Sequence, residues 1–136
     1  ESLLADPSLP PREALLKIAQ GFMDTIASQT GLGVHRLVMA EAPRHPRVAE
    51  LFFLSGPQKM HQLLSHYLRR QTMAGHLHID DIDLACGHFF GMLKSWHQMR
   101  MILRLKPVPT KPELKKHVRD TVGVFCRAYN IYRIAM

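Results

Sequence analysis

The chain has 136 residues, of which 46% are hydrophobic and 21% are charged. This length and balance predict one folded domain with a hydrophobic core, and they exclude a disordered or fibrous chain. No apolar run approaches the roughly 18 residues that a membrane helix needs, and the first residues do not resemble a secretion signal. Cys86 and Cys126 lie in segments with helical patterns, so we expect free thiols and a cytoplasmic location.

The net charge of +7 is unevenly distributed along the chain. Residues 1–93 carry eight Lys or Arg against nine Asp or Glu, whereas residues 94–136 carry ten against two. This asymmetry has two interpretations: a solvated basic face, or a surface for nucleic acid, anionic lipid or an anionic ligand.

Four helices are predicted in the first part of the chain. Pro10 and Pro11 suit the first turn of a helix, and Gly75 is a suitable C-terminal stop for the fourth helix. Gly31 and Gly33 are expected to separate the first two helices. The predicted spans are about 10–28, 34–40, 47–54 and 57–74.

Two long antiparallel helices are predicted to follow, at about 80–104 and 110–132. Asp80 is the expected N-cap of the first of them, and Thr110 with Glu113 forms a capping-box pattern at the start of the second. No segment has a convincing strand pattern. The sequence therefore predicts an all-α fold of about six helices.

The predicted helix 80–104 is apolar on two sides. Its aromatic side includes Phe89, and its other side carries a ridge of small residues at four-residue spacing, formed by Gly87, Gly91 and Ser95. Glycine destabilises a helix interior, so two glycines indicate close packing there. Either another helix of the same chain or a partner chain could cover this ridge, and we expect a second copy of the chain to do so.

No catalytic, metal-binding or cofactor-binding pattern is evident. His76 and His78 lie two residues apart in a loop, but no Cys or carboxylate pair has zinc-site spacing near them. Nucleophile-elbow and phosphate-loop motifs are missing, so no enzyme, metal site or cofactor is predicted.

Several segments resemble the C-terminal domain of TetR-type transcriptional repressors, in the AefR-like, AcrR-related branch. The similarity spans about residues 6–131, and the pattern around Glu41-Ala-Pro43 is fairly specific for this branch. The segments that carry the resemblance are His35–Pro46, Ser55–Pro57, Ala74–Gly75, Ile79–Ile82 and Phe89–Leu93.

The resemblance implies a bacterial regulator that forms a homodimer through its last two helices, which pair with those of the second copy as a four-helix bundle. The earlier helices would enclose a pocket for a small-molecule effector, and effector binding would release operator DNA from N-terminal helix-turn-helix heads. Residues 1–9 would correspond to the end of a connecting helix, and 10–136 to the sensing and dimerisation domain. No recognition helix precedes Pro10, so operator binding is expected only through a head outside this sequence.

Two sets of candidate residues follow. Apolar stripes on three of the helices suit a mostly apolar effector cavity, although the same stripes would equally form a solid core. The pocket candidates are Phe22, Met23, Met39, Phe53, Met60, Leu64, Tyr67, Phe89, Leu93, Trp96 and His97. The dimer-interface candidates are Leu84, Gly87, His88, Phe90, Gly91, Lys94, Ser95, Val118, Val122, Phe125 and Tyr129.

Within the pocket set, Tyr67 and Trp96 each bring a polar group that needs a partner when buried. His97 could titrate near neutral pH and recognise an acidic ligand. A hypothesis of a different class is a basic helical adaptor that binds nucleic acid or an anionic membrane surface through residues 94–119.

Overall fold

A computed structural model of the chain describes residues 9–132, and this part contains six α-helices and no strand. The predicted all-α fold is confirmed. The predicted linker 1–9 lies outside the described residues except for Leu9, and residues 133–136 also lie outside them. The helices are α1 (Pro11–Ile26), α2 (Gln29–Glu41), α3 (Pro46–Ser55), α4 (Pro57–Met73), α5 (Ile82–Ile102) and α6 (Lys111–Ala128).

The expected start of α1 and the expected end of α4 are confirmed. Pro11 occupies the first turn of α1. Proline is tolerated there because the first N–H groups of a helix have no partner within the helix. Gly75 follows α4 with φ +82°, and the His76 N–H donates to the Gln71 carbonyl at 2.9 Å. This is a Schellman cap, for which glycine is the favoured residue.

The expectation that Gly31 and Gly33 separate two helices was wrong, because both lie inside α2. Ser28 caps this helix by accepting a hydrogen bond from the Gly31 N–H at 2.9 Å, so α2 begins five residues before the predicted position 34. A Cβ atom at position 31 would lie 2.1 Å from the Thr25 carbonyl oxygen, whereas one at position 33 would meet nothing within 4 Å. Gly31 therefore permits the tight turn between α1 and α2.

The ends of the two long helices differ in part from expectation. Asp81, rather than Asp80, caps α5 and accepts from the Leu84 N–H at 3.0 Å. At α6 the predicted capping box is present: the Glu113 N–H donates to Thr110 Oγ1 at 3.2 Å, and the Thr110 N–H donates to the Glu113 carboxylate at 3.1 Å.

Helix α6 ends at Ala128 and not at residue 132 as predicted. Asn130 adopts a left-handed conformation with φ 56°, and the Ile131 N–H then reaches the Cys126 carbonyl at 2.7 Å. This is again a Schellman cap, and its hydrophobic contact is supplied by Ile131, which is buried. Burial of Ile131 against the core favours the turn over continuation of the helix.

The predicted antiparallel pairing of α5 and α6 is confirmed by their contacts. Near the start of α5, Phe89 packs edge-on against Phe125, with ring centroids 5.1 Å apart. Toward its end, the His97 ring lies 4.6 Å from the ring of His117. Residues later in α5 thus contact residues earlier in α6, so the two helices are antiparallel.

The core is an aromatic and aliphatic cluster drawn from four helices. Phe22 of α1 packs against Phe90 of α5 at 4.9 Å, and Phe90 packs against Phe89 at 5.3 Å. Helices α1, α4, α5 and α6 each contribute buried side chains, whereas α2 and α3 contribute none. The fold therefore has a packed inner layer and a more weakly buried outer layer made of α2 and α3.

The contrast between the two α2 glycines gives a matched test of this fold. Gly31→Ala should lower the free energy of unfolding by at least about 1–3 kcal/mol, because its methyl group overlaps a backbone carbonyl. Gly33→Ala should leave it unchanged or raise it by about 0.5–1 kcal/mol, because it only reduces the flexibility of the unfolded chain. Urea unfolding followed by circular dichroism measures both, and equal effects of the two changes would contradict the described turn.

Candidate functional site

The predicted pocket residues divide into an inner and an outer group. The inner side chains are buried in the core, whereas the outer ones are mostly exposed, at 66% for Met39, 55% for Phe53 and 70% for Trp96. Met60 and His97 are half-buried. The inner group comprises Phe22, Met23, Leu64, Tyr67, Phe89 and Leu93. In this structure the two groups do not converge on one closed cavity.

Trp96 is exposed where α5 departs from helical geometry. Ser95 has φ 29° and ψ −137° inside the helix, a combination that is strained for any residue other than glycine. The break changes the direction of the residues that follow it. The sequence predicted one continuous helix, and no glycine or proline at position 95 signalled the break.

The side chain of His117, on the neighbouring helix α6, contacts α5 next to the break. The break at Ser95 follows Leu93, whose carbonyl oxygen accepts a hydrogen bond from His117 Nε2 at 2.8 Å. A part-buried backbone carbonyl needs a hydrogen-bond donor. His117 of α6 supplies one to Leu93 and also packs against the ring of His97.

Arg36 attaches α2 to the far end of α5. Its Nε donates to the Ile102 carbonyl and its Nη2 to the Met101 carbonyl, each at 2.8 Å. The last carbonyls of a helix lack internal partners and carry partial negative charge, so a guanidinium group suits this position. The segment of α5 after Ser95 is thus held by His117 on one side and by Arg36 on the other.

Two histidines of this region, His35 and His97, have a lowered pKa. Burial, and then the nearby Lys94, lowers the pKa of His35. Burial, followed by His117, lowers the pKa of His97. Protonation of His97 is therefore disfavoured at neutral pH, which weakens the hypothesis that this side chain recognises an acidic ligand by its charge.

The predicted dimer residues also divide into two groups. The exposed members all lie on one side of α5, and we call them the α5 dimer face: Leu84, Gly87, His88, Gly91 and Ser95. Lys94 and Tyr129 are half-buried. Cβ atoms added at Gly87 or Gly91 would meet nothing within 4 Å, so none of the helices within residues 9–132 covers the ridge there.

Four of the predicted dimer residues face the chain's own core instead. Phe90 is 8% exposed, Val118 2%, and Val122 and Phe125 are fully buried. The apolar stripe of α6 was assigned to the partner, but α6 uses it to pack within its own chain. Its outward surface instead carries Val124, which is 44% exposed, and Ala128. This weaker stripe at positions 124 and 128 was present in the sequence and was missed.

An open concavity of about 340 Å³ lies along the α5 dimer face. Part of this space exists because two of the lining residues are glycines without side chains, and α6 bounds the concavity on one side. His88 Nδ1 is hydrogen-bonded to the Tyr129 hydroxyl across it. The lining residues are Gly87, His88, Gly91, Met92, Ala128 and Tyr129.

Within residues 9–132, no group of three or more His, Cys, Asp or Glu side chains is arranged to hold a metal ion. None of the helices described is both long and apolar enough to cross a membrane. Cys86 and Cys126 are buried free thiols, and burial raises the pKa of Cys86 to about 11.

Residues 13–131 match the family described as "AefR-like transcriptional repressor, C-terminal domain". The chain belongs to this family. The predicted membership in the TetR-type regulators is confirmed, and the family is not enzymatic. TetR regulators are dimers that bind small-molecule effectors and operator DNA.

Solved structures share the fold of this AefR-like domain. A protein from Mesorhizobium loti described as a TetR-family transcriptional regulator superposes with a TM-score of 0.84 at 23% identity, over 94% of this chain and 63% of that one. The "Flavonoid-responsive Regulator FrrA" gives a TM-score of 0.75 at 24% identity, over 93% of this chain and 67% of that one. The AefR-like domain thus spans about two thirds of these neighbours. No curated protein matches it.

The support of the α5 break by His117 can be tested by substitution. His117→Ala should lower the free energy of unfolding by about 1–3 kcal/mol, because it leaves the Leu93 carbonyl without its side-chain donor in a part-buried position. The control is His66→Ala, at an exposed position of α4, which should change stability by no more than about 0.5 kcal/mol. Equal effects in denaturant unfolding would show that His117 does not support the break.

Proposed function

We propose that this domain binds a small-molecule effector and dimerises, and that it thereby controls operator binding by helix-turn-helix heads of the complete regulator. The observation that carries this proposal is the uncovered α5 dimer face in a member of a dimeric family. Residues 10–136 would form this domain, and 1–9 would end the connecting helix. Operator binding would place such a regulator in the bacterial cytoplasm, where cysteines such as Cys86 and Cys126 stay reduced.

The α5 dimer face has the properties of a helix-pairing surface. Gly87 and Gly91 allow a second helix to approach the α5 backbone closely, and the exposed Leu84 and Val124 offer apolar area at its edges. A symmetric pairing would bring the same face of both copies together, as a twofold interface requires. The partner helices would fill the 340 Å³ concavity.

The positive charge of α6 is compatible with this arrangement. Lys111, Lys115, Lys116 and Arg119 are all exposed, and none of them lines the concavity. Two copies could therefore pair without bringing these cations into the interface, where like charges would oppose association.

The effector site is proposed to lie between the inner and outer layers. Its inner wall would be the buried pocket candidates on α1, α4 and α5, and its outer wall would be α2 and α3, which carry Met39 and Phe53. Since α2 and α3 bury no side chain completely, moving them disturbs little of the core. The name of one structural neighbour describes a flavonoid-responsive protein; for this domain we propose an apolar or amphipathic small molecule.

Coupling to the heads would pass through α5. An effector that moves α2 would shift the end of α5 through the Arg36 hydrogen bonds, and the break at Ser95 allows that end to move separately from the part that pairs. The basic-adaptor hypothesis receives no comparable support, because it depends only on the charge of residues 94–119.

The proposed dimer face can be tested with a pair of glycine substitutions. Gly91→Leu should weaken dimerisation at least about tenfold, because the added side chain fills space reserved for the partner helix. The control is Gly21→Leu, since both glycines are exposed in helices and neither would bring a Cβ within 4 Å of another group. Sedimentation equilibrium measures the dissociation constants, and circular dichroism confirms that both variants remain folded. An unchanged dimer in Gly91→Leu would rule out this face.

A further inference from the structure

The hydroxyl group of Tyr67 is buried in the core. The Tyr67 side chain is only 4% exposed, and within the described residues its oxygen has no donor or acceptor in reach. Burying a hydroxyl in this way is unfavourable by about 1–3 kcal/mol. Gln71, one turn further along α4 and also buried, shows the contrast, because its Oε1 pairs with His76 Nδ1 at 2.9 Å.

The chemical state of this hydroxyl is well defined. Burial raises the pKa of Tyr67 to about 12, and no charged side chain contributes to the shift. The group is therefore a protonated hydrogen-bond donor at neutral pH. Tyr67 belongs to the apolar core, where an anionic partner would lose its hydration.

Tyr67 also lies on an apolar face of α4. Met60, Leu64 and Tyr67 follow one another at four- and three-residue spacing on the same face of α4. Met60 is half-buried near the start of the helix, and the two residues after it on this face are buried. Helix α3 packs against α4 and belongs to the weakly buried outer layer.

We propose that Tyr67 is the polar recognition residue for the effector, donating a hydrogen bond to a neutral carbonyl or similar acceptor oxygen at one end of a largely apolar molecule. The body of that molecule lies along Met60 and Leu64, between α3 and α4. This inference rests on the proposed effector site and narrows the ligand to neutral ketones, lactones, esters or amides. Hydrocarbons and carboxylates are disfavoured.

The first test needs no ligand. Tyr67→Phe removes the unpaired hydroxyl and should raise the Tm of the ligand-free protein by about 3 °C or more. Tyr132→Phe is the control, because the Tyr132 hydroxyl is exposed and hydrogen-bonded to Asn130 at 2.9 Å, and its Tm should stay near the original. All samples are measured at one protein concentration, since dimerisation also affects Tm. A Tm below the original for Tyr67→Phe would show that the hydroxyl already has a partner, and would overturn the proposal.

The second test uses matched probes, measured by isothermal titration calorimetry on the original protein and on Tyr67→Phe. The sets are indane, indanone and indane carboxylate, and fluorene, fluorenone and fluorene carboxylate. In at least one set the ketone should bind the original protein about tenfold more tightly than either relative, and Tyr67→Phe should abolish this preference. Tyr132→Phe should retain it.

The unfavourable outcomes separate two failures. If hydrocarbon and ketone bind equally well to the original protein and to Tyr67→Phe, an effector site exists but Tyr67 does not select its ligand. If the carboxylates bind more tightly than the ketones, the proposal of a neutral acceptor is wrong, but the effector site itself is still supported. If no probe binds the original protein at millimolar concentration, both the recognition proposal and the apolar effector site lose their support.

Discussion

The packing of Phe89 of α5 against Phe125 of α6, at 5.1 Å, is the contact on which the rest of the structure depends. Both side chains are fully buried, and with Phe90 and Phe22 they join the last two helices to α1. Because this side of α5 is committed to the core, its opposite side must face outward. The glycines on that outward side then leave a groove that no part of residues 9–132 fills.

A second consequence is the separation into layers. The aromatic junction gives α1, α4, α5 and α6 a common core, whereas α2 and α3 are attached by a few specific contacts, such as the Arg36 hydrogen bonds to the end of α5. Elements with little buried area open at low free-energy cost. The outer layer is thus the one that is easier to displace, whereas α5, which carries the proposed dimer face, belongs to the firmly packed inner layer.

Much of the fold could be predicted from local signals in the sequence. Prolines at the starts of α1 and α4, the Thr110–Glu113 capping box and Gly75 after α4 are short-range features with defined geometry. The failures required knowledge of tertiary contacts. Gly31 has a packing role set by the Thr25 carbonyl, α6 ends early because Ile131 is buried against the core, and the break at Ser95 is supported by His117 from another helix.

The candidate site was predictable in composition but not in orientation. The glycine ridge was predicted as a surface that needs a second helix to cover it, because small residues at four-residue spacing share one side of a helix, and no helix within residues 9–132 covers it. The stripe containing Val118, Val122 and Phe125 could not be assigned to core or partner from spacing alone, since both surfaces are apolar. We propose that the ridge and its groove pair two copies of this domain. Sedimentation equilibrium at tens of micromolar protein should give the mass of a dimer, and a monomer mass throughout that range would rule out this pairing.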